Sequence, residues 1–275
     1  MLLLPSGTVA PTQRTLPDFS LSRPGTLTEA AAAGAADGAV YAQGCSDLVA
    51  QFREGLRCST LVALDRVPEL RRVRYADGAL RLGAGTDHHS GSRDSAVRGA
   101  LPSFADAWGS IATHRIRQRA TLGGNLMARR TRYELSIMLG ALGARLHFTS
   151  AAGPSVLSPG DLWDRAEPPG ALLHTVEIPD VPGVWFGYER SMRPLATVAV
   201  AVRGTAVTVS VGAEYSPPHI VRTTLGADLA EAVAALPDSI GDVAGSAPYR
   251  RHLAAVLAGR LLRRYAQEKD EEGSR

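Results

Sequence analysis

Thr121-Leu122-Gly123-Gly124-Asn125-Leu126, preceded by the polar run Ile116-Arg117-Gln118-Arg119-Ala120, is the stretch on which the reading of this chain turns. Glycine has no Cβ and tolerates positive φ, so a glycine pair lets the backbone come close to another group. Successive N–H groups at a loop or helix start offer donors and positive potential to an anion such as a phosphate. A second stretch has the same character: Ala42-Gln43-Gly44-Cys45-Ser46-Asp47-Leu48. It follows the apolar run Ala39-Val40-Tyr41-Ala42, which reads as a strand, and precedes Leu48 to Arg53, which reads as a short helix. Each loop alone reads better as an ordinary tight turn. Two of them, each with hydroxyl or amide side chains nearby, leave the anion-binding and tight-turn readings side by side.

Working outward, residues 1–17 carry three prolines and little periodicity, and read as a flexible or surface arm. Thr26 or Thr28 caps an alanine-rich helix with Glu29 in its first turn, ended by Gly38. With Thr60 to Leu64 as the next strand, residues up to about 67 form a compact βαβ-like unit. Val73-Arg74-Tyr75 and Leu80 to Ala84 flank Asp77-Gly78, a hairpin turn signal. Ser103 to Ile111 has helical apolar spacing, Tyr133 to Leu142 is an apolar helix, and Arg145 to Thr149 and Leu172 to Ile178 are strands. Pro154 to Pro169 reads as loop. Beyond Pro179 the pattern is antiparallel: strands at Ala196–Val202 and Ala206–Val211, a helix at Asp228–Leu236, and a long helix from Ser246, its N-cap, to Gln267. The tail Glu268 to Arg275 reads as charged and frayed. A boundary near residue 178 divides the chain into 1–178 (subdomains about 18–67 and 68–178) and 179–275.

Composition narrows the function classes. The 275 residues are 45% hydrophobic and 21% charged, the mixture of a globular protein. Two cysteines, Cys45 and Cys58, are too few to ligate an iron–sulfur cluster or a structural zinc alone. Net charge is +3, and Lys269 is the sole lysine among 30 basic residues. The arginines are dispersed and aromatics are 5%, which argues against nucleic-acid binding. No apolar run reaches membrane-spanning length, and Met1 to Pro5 lacks a signal peptide's basic region, so a soluble, cytoplasmic protein is expected. No P-loop is present, and Gly83-Ala84-Gly85 has His88 where a dinucleotide fingerprint needs its third glycine. Asp87-His88-His89 lacks the further aspartates a metal phosphoesterase site would need, and reads as a polar turn. No catalytic triad assembles.

With these surroundings, the two loops resemble those of a known family: the FAD-binding "medium" subunit of the xanthine dehydrogenase and carbon monoxide dehydrogenase (molybdenum hydroxylase) family. Residues 42–48 resemble its A-G-G-x-[ST]-D-L loop, and 116–126 resemble I-R-N-R-G-T-[IL]-G-G-[NS]-[LI]. Leu64 to Leu70, Leu82 to Gly85, Gly212 to Val221 and Ser246 to Leu261 match further segments in order. The resemblance implies an α+β fold: a two-subdomain FAD-binding α/β region of PCMH type, then a C-terminal α+β domain with antiparallel sheet and helices, like that of carbon monoxide dehydrogenase flavoproteins. It implies FAD as cofactor, its pyrophosphate between Gln43, Gly44, Cys45, Ser46 and Asp47 on one side and Thr121, Gly123, Gly124 and Asn125 on the other. Glu134 matches an acidic residue near the flavin. The catalytic residues are unassigned, because the cofactor carries the chemistry.

The resemblance further implies electron transfer from molybdenum and iron–sulfur partners, a molybdopterin-binding large subunit and a 2Fe-2S small subunit, through FAD to an acceptor. A stand-alone flavoenzyme oxidising a small molecule, and a non-catalytic binding or scaffold protein, are the alternatives. Two departures stand out. Gln43 occupies a usual glycine position and is expected to crowd the first loop. Arg129, Arg130 and Arg132 replace small or acidic residues between Asn125 and Glu134, where they either tune a reduced flavin, bind an acidic substrate, face solvent or a partner, or alter FAD binding.

Overall fold

The computed structural model describes residues 16–164, 170–191, 195–213 and 216–274. The N-terminal arm read from residues 1–17 therefore lies almost wholly outside the described residues, as do 165–169 of the Pro154–Pro169 segment and 214–215 of the Gly212–Val221 motif.

Three parallel strands open the chain: β1 (Ser20–Ser22), β2 (Ala39–Ala42) and β3 (Thr60–Ala63), in the order β1-β3-β2. Helices α1 (Leu27–Gly34) and α2 (Leu48–Glu54) make the crossovers. Thr26 caps α1, its hydroxyl accepting from Glu29 N at 3.2 Å, while Glu29 Oε2 reaches back to accept from Gly25 N at 2.7 Å.

The second sheet has the order β4-β5-β8-β6-β7, from β4 (Val73–Ala76), β5 (Ala79–Gly83), β6 (Arg145–Ser150), β7 (Gly153–Leu157) and β8 (Leu172–Ile178). Asp77 and Gly78, at φ 53 and 72, turn the β4–β5 hairpin as the Asp-Gly pair predicts. Six helices lie between β5 and β6: α3 (His88–Arg93), α4 (Ser95–Ala100), α5 (Pro102–Ser110), α6 (His114–Arg117), α7 (Leu122–Met127) and α8 (Leu135–Ala141); α9 (Asp161–Asp164) follows β7.

The antiparallel third sheet, β12-β11-β10-β9, comprises β9 (Val184–Arg190), β10 (Thr197–Arg203), β11 (Ala206–Ala213) and β12 (Ser216–Thr224). After it come α10 (Leu229–Ala234) and α11 (Ala247–Gly273). Strand β10 shows why this sheet is covered on both sides. Val198, Val200 and Val202 join the core beneath α11, while Ala199 and Ala201 join the core that contains α8. The small face admits a helix closely: a Cβ on Gly212 would overlap the Ile137 side chain of α8, and one on Gly140 would lie 3.1 Å from Ser210 Oγ. Phe104 of α5 meets Phe186 of β9 edge-on at 5.9 Å, so the third sheet shares the larger core.

Several expectations need correction. Thr121 to Leu126 is the start of helix α7, with Thr121 as N-cap, because the Thr121 hydroxyl accepts from Gly124 N. Residues 88–93 are helical: Asp87 caps α3 through Ser90 N at 2.8 Å, so His88 and His89 do not sit in a turn. The 154–169 segment contains most of β7 as well as α9. Helix α1 ends at Gly34, and Gly38 (φ 68) belongs to the turn beyond. The tail is not frayed, since α11 continues to Gly273, with Trp185 Nε1 donating to Glu268 at 2.6 Å.

Candidate functional site

A cleft of about 490 Å³ runs between the first sheet and the helices that follow β5. All ten residues expected at the cofactor line it: Gln43, Gly44, Cys45, Ser46, Asp47, Thr121, Gly123, Gly124, Asn125 and Glu134. Leu64, Leu70, Ile111 and Leu173 give it apolar walls.

The two glycine stretches are in contact with each other. A Cβ on Gly44 would overlap the Arg119 carbonyl and lie 3.2 Å from Ala120 Cα. Gly123 meets a different neighbour: its Cβ would lie 2.8 Å from that of Ala84. Gly124 is exposed, and its nearest neighbour is the capping Thr121 hydroxyl at 2.9 Å. Gly44 and Gly123 thus serve packing, and Gly124 presents a bare face to the cleft.

The stretches also differ in free donors. In α7, Leu122 N donates to Thr86 O (2.9 Å), Gly123 N to Ala84 O (2.7 Å), Gly124 N to Thr121 Oγ1 (3.1 Å) and Asn125 N to Thr121 O (2.9 Å). These bonds pin α7 to the β5–α3 connection and leave its first-turn amides occupied. In the first stretch, by contrast, no carbonyl among the described residues accepts from the N–H groups of Gly44, Cys45, Ser46 or Asp47. Asp47 gives α2 no side-chain cap either. Cys45, at φ 55, breaks the extended path of the loop, the kind of turn in which successive N–H groups can be offered to an anion. The second stretch brings a side chain instead: Asn125 Oδ1 is buried with no hydrogen-bond partner.

Asp47 is held rather than free. It accepts from Arg130 Nε at 3.3 Å, Tyr133 Oη at 2.8 Å and Gln51 Nε2 at 2.5 Å, and Arg130 also pairs with Glu54 at 2.7 Å. Burial, then the bond to Asp47, pushes the Tyr133 phenol up to about 12, so it remains a donor at neutral pH. Of the three unexpected arginines, Arg130 straps the first loop to the 126–134 segment, Arg132 lines the cleft, and Arg129 holds a left-handed backbone turn at φ 46. Glu134 accepts from Tyr188 Oη at 2.6 Å and Arg190 Nη1 at 3.1 Å, both on β9. Burial, then the Glu134 charge, raises the Tyr188 phenol well above its ordinary value. Gln43 does not crowd the loop: its amide lies over Gly85, where a Cβ would collide with it, and Nε2 donates to Gly85 O at 3.3 Å.

Sequence reasoning missed His88, Tyr133, Tyr188 and Arg190. His88 is 1% exposed yet lines the cleft, and its Nδ1 accepts from Trp108 Nε1 at 3.1 Å. A helical start at Asp87 was legible in the Asp-x-x-Ser spacing; the Trp108 partner, from another helix, was not.

An apolar cleft lined by unpaired loop amides and a bare glycine suits a ligand that joins a phosphate to flat rings. Residues 17–181 match the family described as the FAD binding domain in molybdopterin dehydrogenase, and the chain belongs to that family. It is 28% identical over 231 residues to the carbon monoxide dehydrogenase medium chain of Afipia carboxidovorans, covering 74% of this chain and 80% of that one. It is 28% identical over 251 residues to the nicotine 6-hydroxylase medium subunit of Paenarthrobacter nicotinovorans, covering 82% and 89%. The crystal structure of quinoline 2-oxidoreductase from Pseudomonas putida 86 superposes with a TM-score of 0.79 at 25% identity, over 93% of this chain and 99% of that one. FAD fits the residues present: the unpaired amides suit its pyrophosphate, the bare face of Gly124 admits close approach, and Asn125 Oδ1 awaits a donor.

Proposed function

We propose that this chain is the FAD-carrying subunit of a molybdenum hydroxylase-type dehydrogenase, passing electrons from molybdenum and iron–sulfur partner subunits through FAD to an acceptor. The observation that carries the reading is the asymmetric lining of one cleft, with unpaired amides at Gly44 to Asp47 beside Gly124 and Asn125. Bound FAD supplies hydride and single-electron chemistry. The chain's residues bind and orient it. The loop amides of Gln43 to Asp47 receive the pyrophosphate. Thr121 and Gly123 fix α7 so that Gly124 and Asn125 face the same ligand. Glu134, steadied by Tyr188 and Arg190, closes the cleft beside Arg132.

We assign residues 1–178 to the cofactor region and 179–275 to a C-terminal domain that supports it through α8 and β9. The partners in this reading are a molybdopterin-binding large subunit and a 2Fe-2S small subunit. Two cysteines are too few for a cluster, so clusters belong to those partners. Among the described residues no helix is long and apolar enough to cross a membrane. The two free thiols suit a reducing cytoplasm.

The test is a visible absorption spectrum of the purified chain with added FAD, then affinity purification from its native host. A bound flavin spectrum and co-purifying molybdopterin and iron–sulfur chains are expected. A protein that stays colourless after FAD addition sinks the reading. One that binds FAD but turns over a substrate without partners fails as a subunit.

A further inference from the structure

Among the described residues His88 is the one imidazole on the cleft wall, and one of its ring nitrogens is held by Trp108. An indole N–H can only donate, so Trp108 Nε1 at 3.1 Å requires an unprotonated, accepting Nδ1. The proton of the neutral ring must then sit on Nε2. Among the described residues nothing accepts from that nitrogen, and yet it is not one of the sealed, unpartnered polar atoms. His88 is 1% exposed and is among the residues that line the cleft, and with Nδ1 taken by Trp108 its Nε2 edge is the one left for a ligand. Ala120 O accepts from His88 N at 3.0 Å, and Ile111, Ala112 and Ile116 add apolar lining to the same cleft.

Building on the FAD reading above, we propose that His88 is a cofactor-binding residue whose Nε2–H donates a hydrogen bond to a ring acceptor of FAD, on the adenine or the isoalloxazine. A neutral donor beside apolar lining suits a heteroaromatic ring better than a phosphate, whose charge calls for the unpaired amides of the other loop. Burial, with Asp87 opposing and Arg117 reinforcing, depresses the imidazole to about 4, so the donor stays uncharged at physiological pH.

Two isosteres separate this role from a structural one. Asn places an amide oxygen where Nδ1 lies and keeps the Trp108 bond, but does not reach the cleft. Gln places an amide N–H where Nε2 lies, but deserts Trp108. The full chain is titrated with FAD by fluorescence quenching and visible absorption. In His88→Asn the FAD dissociation constant should rise about three- to tenfold. In His88→Gln it should stay within about twofold of wild type, although that variant should melt at the lower temperature because Trp108 Nε1 loses its acceptor. A purely structural His88 predicts the opposite order. ADP titration and the visible band tell the two rings apart. If ADP affinity falls in step, the acceptor is adenine; if ADP binds normally and the band shifts, it is the isoalloxazine. Unchanged FAD affinity in His88→Asn, an equal loss in His88→Gln, or a loss with neither ring signature overturns the assignment. A wild-type chain that binds no FAD overturns the underlying reading as well, which sets that failure apart from this one.

Discussion

Gly44 rests directly on the carbonyl of Arg119, with no room between them for a side chain. Through this contact the two glycine stretches, some 75 positions apart in sequence, meet as one wall of the cleft. Gly124 has no such neighbour beyond its own capping threonine. The three glycines of the motifs therefore answer to different demands, and substitution separates them.

Gly44→Ala should drive the stretches apart, destabilise the chain by about 1–3 kcal/mol as overpacking does, and abolish FAD binding. Gly124→Val should cost about 1 kcal/mol, because its Cβ would press on the capping Thr121 hydroxyl 2.9 Å away, while weakening FAD by at least about tenfold. Thermal melting of the apo protein beside FAD titration reads both quantities. Normal FAD content in Gly124→Val would count against the placement of the ligand over that residue.

Arg250 supports a different prediction. Its side chain is fully buried at the start of α11, where it pairs with Asp242 and donates to Leu195 O at 2.6 Å and Gly245 O at 3.3 Å. It ties the 241–245 turn and the approach to β10 onto the helix. Arg250→Met leaves Asp242 and two carbonyls without their partner, and should destabilise by about 3–5 kcal/mol. Lysine should not rescue it, because a point charge cannot serve three acceptors in a fork. Arg250 lines no part of the cleft, so FAD affinity measured well below the melting temperature should be unchanged. A parallel loss of both would mean that the third sheet holds the cleft open.

His88 makes stability depend on pH. Its folded value, about 4, lies below the ordinary 6.5, so the unfolded chain binds the proton more tightly. The contribution is present above pH 6.5 and is lost as pH falls toward 4, amounting to roughly 3 kcal/mol for a shift of this size. Burial lowers His174 and His219 as well, so they act in the same direction. Comparison with His88→Asn isolates the one group. Denaturant unfolding between pH 4 and 8 should give a flatter profile for the variant, and identical profiles would show that His88 takes up its proton equally well in the folded and unfolded chain, against its burial.

Much of this was legible in the residues. The threonine cap with Glu29 in the first turn of α1, the Asp77-Gly78 hairpin and the long helix after Ser246 are local signals, set by bonds within a few positions. The two glycine stretches were legible as a pair, and they do converge on one cleft. Their division of labour was not. Whether an amide near Gly123 is free depends on Ala84 and Thr86, and these approach only when β5 and α7 are brought together. Gln43 read as crowding because its relief, the missing Cβ of Gly85, lies 42 positions on. The arginines near 130 were likewise ambiguous until Asp47 and Glu54, far away in sequence, were seen to claim Arg130.

Cys45 offers a chemical readout of the first loop itself. It lies at the curled position of the first loop, half-buried on the cleft wall, whereas Cys58 is buried just before β3. Burial pushes the Cys45 thiol up, and the Arg119 charge only partly opposes this. Alkylation requires the thiolate, so the reaction should be slow at neutral pH and speed up as pH rises toward 9 and beyond. Cys58, also raised by burial, should react only on unfolding. A pyrophosphate seated on the amides of Gly44 to Asp47 would cover Cys45. Saturating FAD should therefore protect one thiol from iodoacetamide, with the site located by peptide mass spectrometry. ADP should protect the same thiol, because it carries the pyrophosphate, and riboflavin should not. Equal labelling of Cys45 with and without FAD would mean that the cofactor lies elsewhere than on this loop.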